Sequence, residues 1–190
     1  MAAERPQVHV ERREEWRSWL AEHHASADGA WLVSWKRATG RPAIDYDAAV
    51  EEALCFGWID SLARTLDEER SMLLFTPRKR GSGWSRSNKE RVGRLEAAGL
   101  IEPAGAAVIG AARADGSWTA LDDVENLVVP DDLAAAFAVR PGAAEHWESF
   151  PRSVKRAILV WIHDAKRAET RARRVEQTAS DAAEGRRARS

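Results

Sequence analysis

The stretch WIDSLARTLDEERSMLLFTP, Trp58–Pro77, decides the fold class of the chain. Its two apolar parts, Trp58–Leu66 and Arg70–Thr76, have the character of strands. A polar turn, Asp67–Glu69, lies between them. Pro77 ends the second strand because proline has no amide hydrogen to donate to a ladder. The stretch therefore predicts an antiparallel β-hairpin.

A third strand and two helices are predicted upstream of the hairpin. Ala30–Lys36 is rich in aromatic and β-branched residues, which are typical of strands. Glu11–Ala25 spaces its apolar residues as one face of a helix. A second helix begins at Asp45, because carboxylates are favoured at the positive end of a helix dipole, and ends at Gly57. We therefore expect an α+β fold with a small three-stranded antiparallel sheet and packed helices.

The rest of the chain carries only helical patterns. Ser87 and Glu90, three residues apart, predict a capping box that opens a helix. The run after Pro103, AGAAVIGAARAD, is rich in small residues and suits a closely packed helix. The expected organisation has four parts: an α+β domain over 1–116, an acidic connector over 117–129, an all-helical region over 130–183 and a frayed tail over 184–190.

Composition places the 190-residue chain in the soluble globular class, with 44% hydrophobic and 31% charged residues. Cys55 is the single cysteine, so no intramolecular disulfide can form and a reducing compartment is expected. The first residues lack the apolar core of a secretory signal, and no apolar run has the length of a membrane span. These features predict a cytoplasmic protein. The sequence leaves its oligomeric state open.

Charge is balanced overall but segregated along the chain. The net charge is −1, so no global field favours nucleic acid. Two segments are nevertheless basic, 78–94 and 152–190, and the segment between them, 115–148, is acidic. The acidic segment could neutralise a basic one, or the basic segments could form a surface that follows phosphates.

The run PRKRGSGWSRSN, Pro77–Asn88, is the first candidate binding site. Its glycines let a ligand approach the backbone closely, and the backbone amides at the helix start after Ser87 attract anions. Arg78 is placed at the strand end, where it could point inward, and Trp84 could stack on a ring. The alternative is a loop docked by Trp84 with solvated arginines.

Asp60 is the second candidate, because an acid in an apolar run needs a partner. That partner could be Arg64, Arg70 or Arg78, as a structural ion pair or as part of a ligand site. Trp58, two residues earlier, completes the predicted cluster. Cys55 lies in an apolar helix and is more typical of a small buried residue than of a nucleophile.

Three long motifs resemble the YdeI/OmpD-associated (OmdA-like) family of bacterial proteins. They are EEALCFGWIDS (Glu51–Ser61), FTPRKRGSGWSRSNKERV (Phe75–Val92) and FPRSVKRAILVWIHDAKRAETRARRVEQT (Phe150–Thr178). The resemblance extends from about Trp16 to Thr178. It implies a role in bacteriocin protection and an association with an outer-membrane porin, and it carries over no catalytic residues.

Three functional hypotheses follow. The first is a stress- or bacteriocin-protection factor that binds a small anionic ligand or a protein partner through Trp58, Asp60, Arg78, Trp84, Ser85 and Asn88. The second is a nucleic-acid-binding protein that uses the basic segments. The third is an enzyme with a pocket around Asp60 and Arg78. The histidine spacing predicts no metal site, and no pattern predicts a cofactor or a catalytic group.

Overall fold

The computed structural model describes residues 5–188, and contacts divide the chain into two compact units. The first unit extends to Thr119 and the second begins at Ala120. This division falls within the acidic connector, 117–129. Each unit has its own cluster of buried apolar side chains. Within residues 5–188, no helix combines the length and apolarity needed to cross a bilayer.

The first unit combines a sheet with helices, as the hairpin stretch predicts. Its strands are β1 (Gln7–His9), β2 (Ala30–Trp35), β3 (Trp58–Thr65) and β4 (Arg70–Pro77). Its α-helices are α1 (Arg13–His23), α2 (Tyr46–Cys55), α3 (Arg86–Ala97) and α4 (Pro103–Ala114). The predicted α+β class is confirmed.

The expected three-stranded antiparallel sheet is wrong in the number of strands and in the direction of one of them. The observed sheet is a four-stranded mixed sheet in the order β1-β2-β4-β3. β4 pairs antiparallel with both β2 and β3, whereas β1 pairs parallel with β2, with Gln7 opposite Trp31. β1 has three residues, too few to give a period-two pattern, and it is a strand because β2 lies beside it. Only the tertiary neighbour reveals it.

One face of the sheet carries the core of the first unit. Leu32, Trp58 and Phe75 point to this face and are buried against the helices. Trp16 of α1 packs on Phe75, with ring centroids 5.3 Å apart, and its Nε1 donates to the carbonyl of Ala49, 3.1 Å away. The indoles therefore fill the core while their single polar group is satisfied.

A buried carboxylate on α2 forms ion pairs with two arginines of α1. The side chain of Glu52 is 3% exposed and is paired with Arg13 and Arg17, the latter through an Nη1–Oε2 distance of 2.7 Å. Arg17 also pairs with Glu102, the residue before α4. Because a buried charge is tolerated only when it is paired, this network fixes three helices relative to one another.

Two glycines allow α4 to approach α2 and the strand that follows it. A Cβ on Gly105 would lie 2.2 Å from the carbonyl oxygen of Cys55. A Cβ on Gly57, whose φ is +75°, would lie 2.8 Å from Cγ2 of Val108. No other residue type fits at either place without displacement. The crossing sets one face of α4 beside the start of β3.

The second unit is all helical, as expected for the C-terminal region. Its helices are α5 (Asp122–Glu125), α6 (Asp131–Ala138), α7 (Ala143–Ser149), α8 (Arg152–His163) and α9 (Ala168–Ala183). Its core contains Leu133, Trp147, Ile158 and Ile162, all nearly inaccessible to solvent. The apolar residues of each helix share one face, and these faces meet.

The predicted frayed tail, 184–190, is described as far as residue 188. Arg186 Nη2 lies 3.0 Å from Asp181 Oδ1, and Ala188 is buried in the core cluster of the second unit. Residues 189 and 190 lie outside the described residues.

Candidate functional site

The loop after β4 is held at both ends. The amide of Arg78 donates to the carbonyl of Gly57, 2.9 Å away, which extends the hairpin beyond Pro77. At the other end Trp84 is 1% exposed and packs on Trp118, with ring centroids 4.9 Å apart. The basic run between these two anchors therefore has a defined position.

The guanidinium of Arg78 lies flat against this anchor. Its Cζ is 3.7 Å from the centroid of the Trp84 ring, a close cation–π contact. Its Nη2 donates to the carbonyl of Gly83. Its Nε is buried and has no hydrogen-bond partner among the described residues. Arg78 is thus a partly desolvated cation whose Nε–H donates no hydrogen bond to the described residues.

Burial changes the acidity of this group. Loss of hydration lowers the pKa of Arg78 to about 10, and the nearby charge of Asp60 opposes that shift only in part. Arg78 remains a cation at neutral pH. Because the cost of dehydrating its charge is only partly offset, an anion that reached it would be bound favourably.

A pocket of about 220 Å³ opens beside Arg78 and Trp84. The helix α4 supplies one wall with small apolar side chains, those of Ala107, Val108, Ala111 and Ala112. The loop supplies the remainder with Lys79, Arg80, Gly81 and Ser82, and Asp115 and Ser117 lie at the end of α4. The pocket therefore joins an apolar wall to a cluster of positive charge.

Asp115 is the one carboxylate of this lining. Hydrogen bonds from Ser117, including one of 2.6 Å from its hydroxyl, lower the pKa of Asp115 and keep it ionised. Its second oxygen, Oδ2, is 3.5 Å from Arg80 Nε, whose side chain is largely exposed. Asp115 therefore neutralises Arg80 and leaves Arg78 and Lys79 as the positive charges of the lining.

Asp60 connects the pocket arginine to a surface tyrosine. Tyr46 Oη donates to Asp60 Oδ2 over 2.9 Å. Burial, together with this hydrogen bond, raises the pKa of Tyr46 to about 12. Asp60 precedes a β-bulge between β3 and β4, a feature that re-aims side chains at sites of this kind. Of the three arginines proposed as its partner, Arg70 pairs with Asp67 and Arg64 lies over the Trp31 ring, whereas the charge of Asp60 acts on Arg78.

Arg91 extends this chain of contacts toward α3. Its Nη1 donates to Asn88 Oδ1 over 2.9 Å, and its Nη2 pairs with Asp47. Its Cζ lies 6.0 Å from the Tyr46 ring centroid. Asn88 is thereby linked to Asp60 through Arg91 and Tyr46.

The structure brings some of the six predicted site residues together and separates others. Arg78 and Trp84 line the pocket, and Asp60 acts on Arg78 electrostatically. Trp58 lies in the core, where its Nε1 donates to the carbonyl of His24. Ser85 and Asn88 are not among the described lining residues and organise the start of α3.

The start of α3 corrects the predicted capping box. The N-cap is Ser85, whose side-chain oxygen accepts from the amide of Asn88 over 3.3 Å, and α3 begins at Arg86. Ser87, the predicted cap, lies inside the helix. The sequence SRS offers two serines as caps, and the buried Trp84 fixes the chain so that the first one is used.

The pocket wall on α4 was not predicted. The pattern of small residues in α4 was interpreted as close packing, which holds for Gly105. Ala107 and Ala111, one turn apart, instead face the pocket. A small-residue helix that follows a basic loop is the signal available in the sequence, but it does not say which face meets the loop.

Four cations of the basic segments, 78–94 and 152–190, pair with carboxylates of the acidic segment, 115–148. Within the first unit Arg80 pairs with Asp115. Within the second unit three pairs form: Arg171 with Asp132 at 2.7 Å, Arg156 with Glu125 at 2.6 Å and Lys155 with Glu148 at 2.6 Å. Arg174 lies over the ring of Trp161. The acidic segment thus neutralises part of the charge that could follow phosphates.

Comparison with known protein families matches both units. Residues 8–108 match the model described as a domain of unknown function, DUF8412. Residues 126–185 match the model described as "Bacteriocin-protection, YdeI or OmpD-Associated", OmdA. Neither a search of curated proteins nor one of solved structures returned a match. The motifs at 51–61 and 75–92 lie in the DUF8412 match, and the motif at 150–178 lies in the OmdA match. The chain therefore belongs to the DUF8412 family through its N-terminal part, and its C-terminal part matches the YdeI/OmpD-associated (OmdA) family model.

Proposed function

We propose that the protein binds a small anionic ligand in the pocket beside Arg78 and that this binding serves a stress- or bacteriocin-protection role. One observation carries the proposal: a guanidinium that is stacked on Trp84, partly desolvated and, among residues 5–188, without a hydrogen-bond partner for its Nε. Such a group gains more from an anion than a hydrated surface arginine does. The protective role comes from the family description of residues 126–185.

The proposal assigns different parts to different segments. The ligand site belongs to the α+β domain, 1–116, with its wall reaching Ser117. The helical region, 130–183, follows the acidic connector, 117–129, and lies in the match to the bacteriocin-protection family model. The protein is proposed to act in the bacterial cytoplasm, as the absence of disulfide pairing and the sequence composition suggest.

Nucleic-acid binding is the less favoured function. A surface that follows phosphates needs unpaired cations along one face. Arg80, Lys155, Arg156 and Arg171 each have an acidic partner. Those ion pairs would have to be exchanged for phosphate contacts, which reduces the gain from binding.

An enzyme centred on Asp60 and Arg78 stays a hypothesis. Tyr46, which contacts Asp60, and the Cys55 thiol both keep their protons at neutral pH. Burial and a hydrogen bond to Asp60 raise the pKa of Tyr46 to about 12, and burial also raises the pKa of the Cys55 thiol. Neither offers a ready base or nucleophile.

Thermal denaturation with a panel of small anions at constant ionic strength tests the proposal. A ligand at a hundredfold excess over its Kd stabilises the native state by about 2.7 kcal/mol, which raises Tm by about 5–10 °C for a chain of this size. We expect the Arg78→Gln variant to lose this rise.

Arg64→Gln is the matched control. Arg64 lies on β3 and, like Arg78, is near an indole, with its Cζ 5.2 Å from the Trp31 ring, but it does not line the pocket. Its variant should keep the full rise in Tm. If no anion raises Tm, or if both variants lose the rise equally, the proposed function is wrong.

A further inference from the structure

The size of the Arg78 pocket limits what it can hold. Its volume of about 220 Å³ equals the share of liquid volume taken by about seven water molecules, at ~30 Å³ each. Pockets for drug-sized ligands start at about 300 Å³. The part of a ligand that the pocket can enclose is therefore about the size of one small ring.

The lining favours an apolar ligand body. One wall consists of the short side chains of Ala107, Val108, Ala111 and Ala112, and the indole of Trp84 lies in the same pocket. A hydrated or highly polar body would lose water against this wall without gaining hydrogen bonds. A compact apolar group loses nothing there and gains from the burial of its surface.

Few side-chain donors of the described pocket lining are free to bind a ligand. The hydroxyl of Ser82 already donates to the carbonyl of Lys79, and that of Ser117 donates to Asp115. Arg80 lies against Asp115. This leaves the Arg78 guanidinium, partly covered by the loop, and the exposed ammonium of Lys79.

A carboxylate has two oxygens and one charge, which one guanidinium can satisfy in a forked arrangement. A phosphate has more oxygens and close to two charges at neutral pH, and each buried oxygen without a donor weakens its binding. Asp115 adds a repulsion that grows with the charge of the ligand.

We propose that this pocket selects a monocarboxylate with a compact apolar body about the size of benzoate, an inference that rests on the proposed anion-binding function. The carboxylate faces the guanidinium of Arg78, and the apolar body lies against the alanine wall of α4. The same geometry disfavours phosphate, dicarboxylates and amines.

Titrations followed by ligand-observed NMR at constant ionic strength test the selectivity on the intact protein. The probes are benzoate, acetate, benzamide, benzylamine and inorganic phosphate. Acetate lacks the apolar body, benzamide lacks the charge, and benzylamine reverses it. We expect benzoate to bind at least about tenfold more tightly than each of the others.

Two substitutions on α4 test the contact with the apolar body. Ala111→Leu places a larger side chain in the pocket and should weaken benzoate binding by about tenfold or more. Ala106→Leu is the matched control, because Ala106 is exposed on the same helix and does not line the pocket. It should leave the affinity for benzoate unchanged.

Each result separates this inference from the proposed function. If phosphate or acetate binds as tightly as benzoate and Arg78→Gln abolishes that binding, anion binding stands and the monocarboxylate inference is overturned. If no anion binds, both are overturned. If benzoate binds equally well to Arg78→Gln or to Ala111→Leu, its site lies elsewhere and the inference is again overturned.

Discussion

Arg78 combines three features that a hydrated surface arginine lacks. It is stacked on a buried indole, its Nε has no hydrogen-bond partner in the described part of the chain, and its pKa falls to about 10 through burial. A cation that is held in place and partly dehydrated before a ligand arrives loses little freedom on binding. Asp60 supplies a nearby countercharge, and that carboxylate is in turn held by Tyr46.

The hydrogen bond between Tyr46 and Asp60 should be visible in an alkaline titration. Tyr46 is the single tyrosine of the chain, so its phenolate absorbance reports one residue. We expect a midpoint near 12 in the folded protein, set by burial and by the bond to Asp60. Asp60→Asn should lower this midpoint, because the carboxylate and its charge are lost.

Ionisation of Tyr46 at high pH should also lower the free energy of unfolding. The folded pKa lies above the ordinary value of about 10, so the contribution of Tyr46 to stability is complete below pH 10. It is lost as the pH rises through about 12. Protein unfolded in urea is the control and should titrate near 10. An equal midpoint in the folded protein would contradict the hydrogen bond.

Asp60→Asn should also strengthen anion binding. Asp60 is the one charge that supports protonated Arg78, and the same carboxylate repels a bound anion. Its removal should lower the Kd for a bound anion by about threefold or more, since charges near a protein surface interact by a few kcal/mol at most. Calorimetric titration measures the change.

Asp47→Asn is the matched control for that measurement. Asp47 pairs with Arg91, away from Arg78, so its variant should bind anions as the parent protein does. A weaker affinity in Asp60→Asn would show that Asp60 holds Arg78 in position rather than competing with the ligand.

At the scale of elements, α4 serves two neighbours through two different faces. Gly105 lies against the backbone of α2, and Val108 contacts Gly57 at the start of the hairpin. Ala107 and Ala111 are turned toward the basic loop. Because the pocket wall and the helix crossing belong to the same rigid element, a change at the crossing moves the wall.

Gly105→Ala tests this coupling. The new Cβ would lie 2.2 Å from the Cys55 carbonyl, so the helices must separate, at a cost of about 1–3 kcal/mol. Anion binding should weaken as well. Gly110→Ala is the control in the same helix, where a Cβ meets nothing within 4 Å. It should stabilise the protein by about 0.5–1 kcal/mol.

Urea denaturation of the two variants provides the comparison. A Gly105→Ala variant as stable as the parent would show that α4 does not need its close approach to α2. Equal losses in both variants would point to a general effect of alanine in this helix.

At the scale of the whole molecule, each unit contains both its apolar core and its ion pairs. In the second unit the buried faces of α6 to α9 meet around Leu133 and Trp147. Arg171 with Asp132 and Arg156 with Glu125 join helices of the same unit. Charge balance is therefore achieved within each unit.

We expect a fragment comprising residues 120–190 to fold by itself. It should show a helical circular dichroism spectrum and a cooperative melt. Its stability should be modest, about 3–5 kcal/mol, because a core of this size supplies no more. Leu133→Ala, at a fully buried position, should abolish the transition. A broad melt in the parent fragment would contradict an independent core.

The sequence predicted the elements whose patterns are local. The hairpin at Trp58–Pro77, the N-cap at Asp45 and the helical C-terminal region depend on alternation, capping and proline placement, which nearby residues specify. Arg78 and Trp84 could also be proposed as candidate site residues, because charge and aromatic character are properties of the residues themselves, and the structure places both in the lining of one pocket.

Only the tertiary structure decided the features that depend on distant neighbours. β1 is a strand because β2 is beside it, and Ser85 rather than Ser87 caps α3 because Trp84 is buried. The pocket exists because the two glycines bring α4 next to the loop that follows β4. Local patterns set which residues form each element, whereas burial and shape, which arise only on packing, determine which faces meet and which arginine lies partly buried beside a pocket.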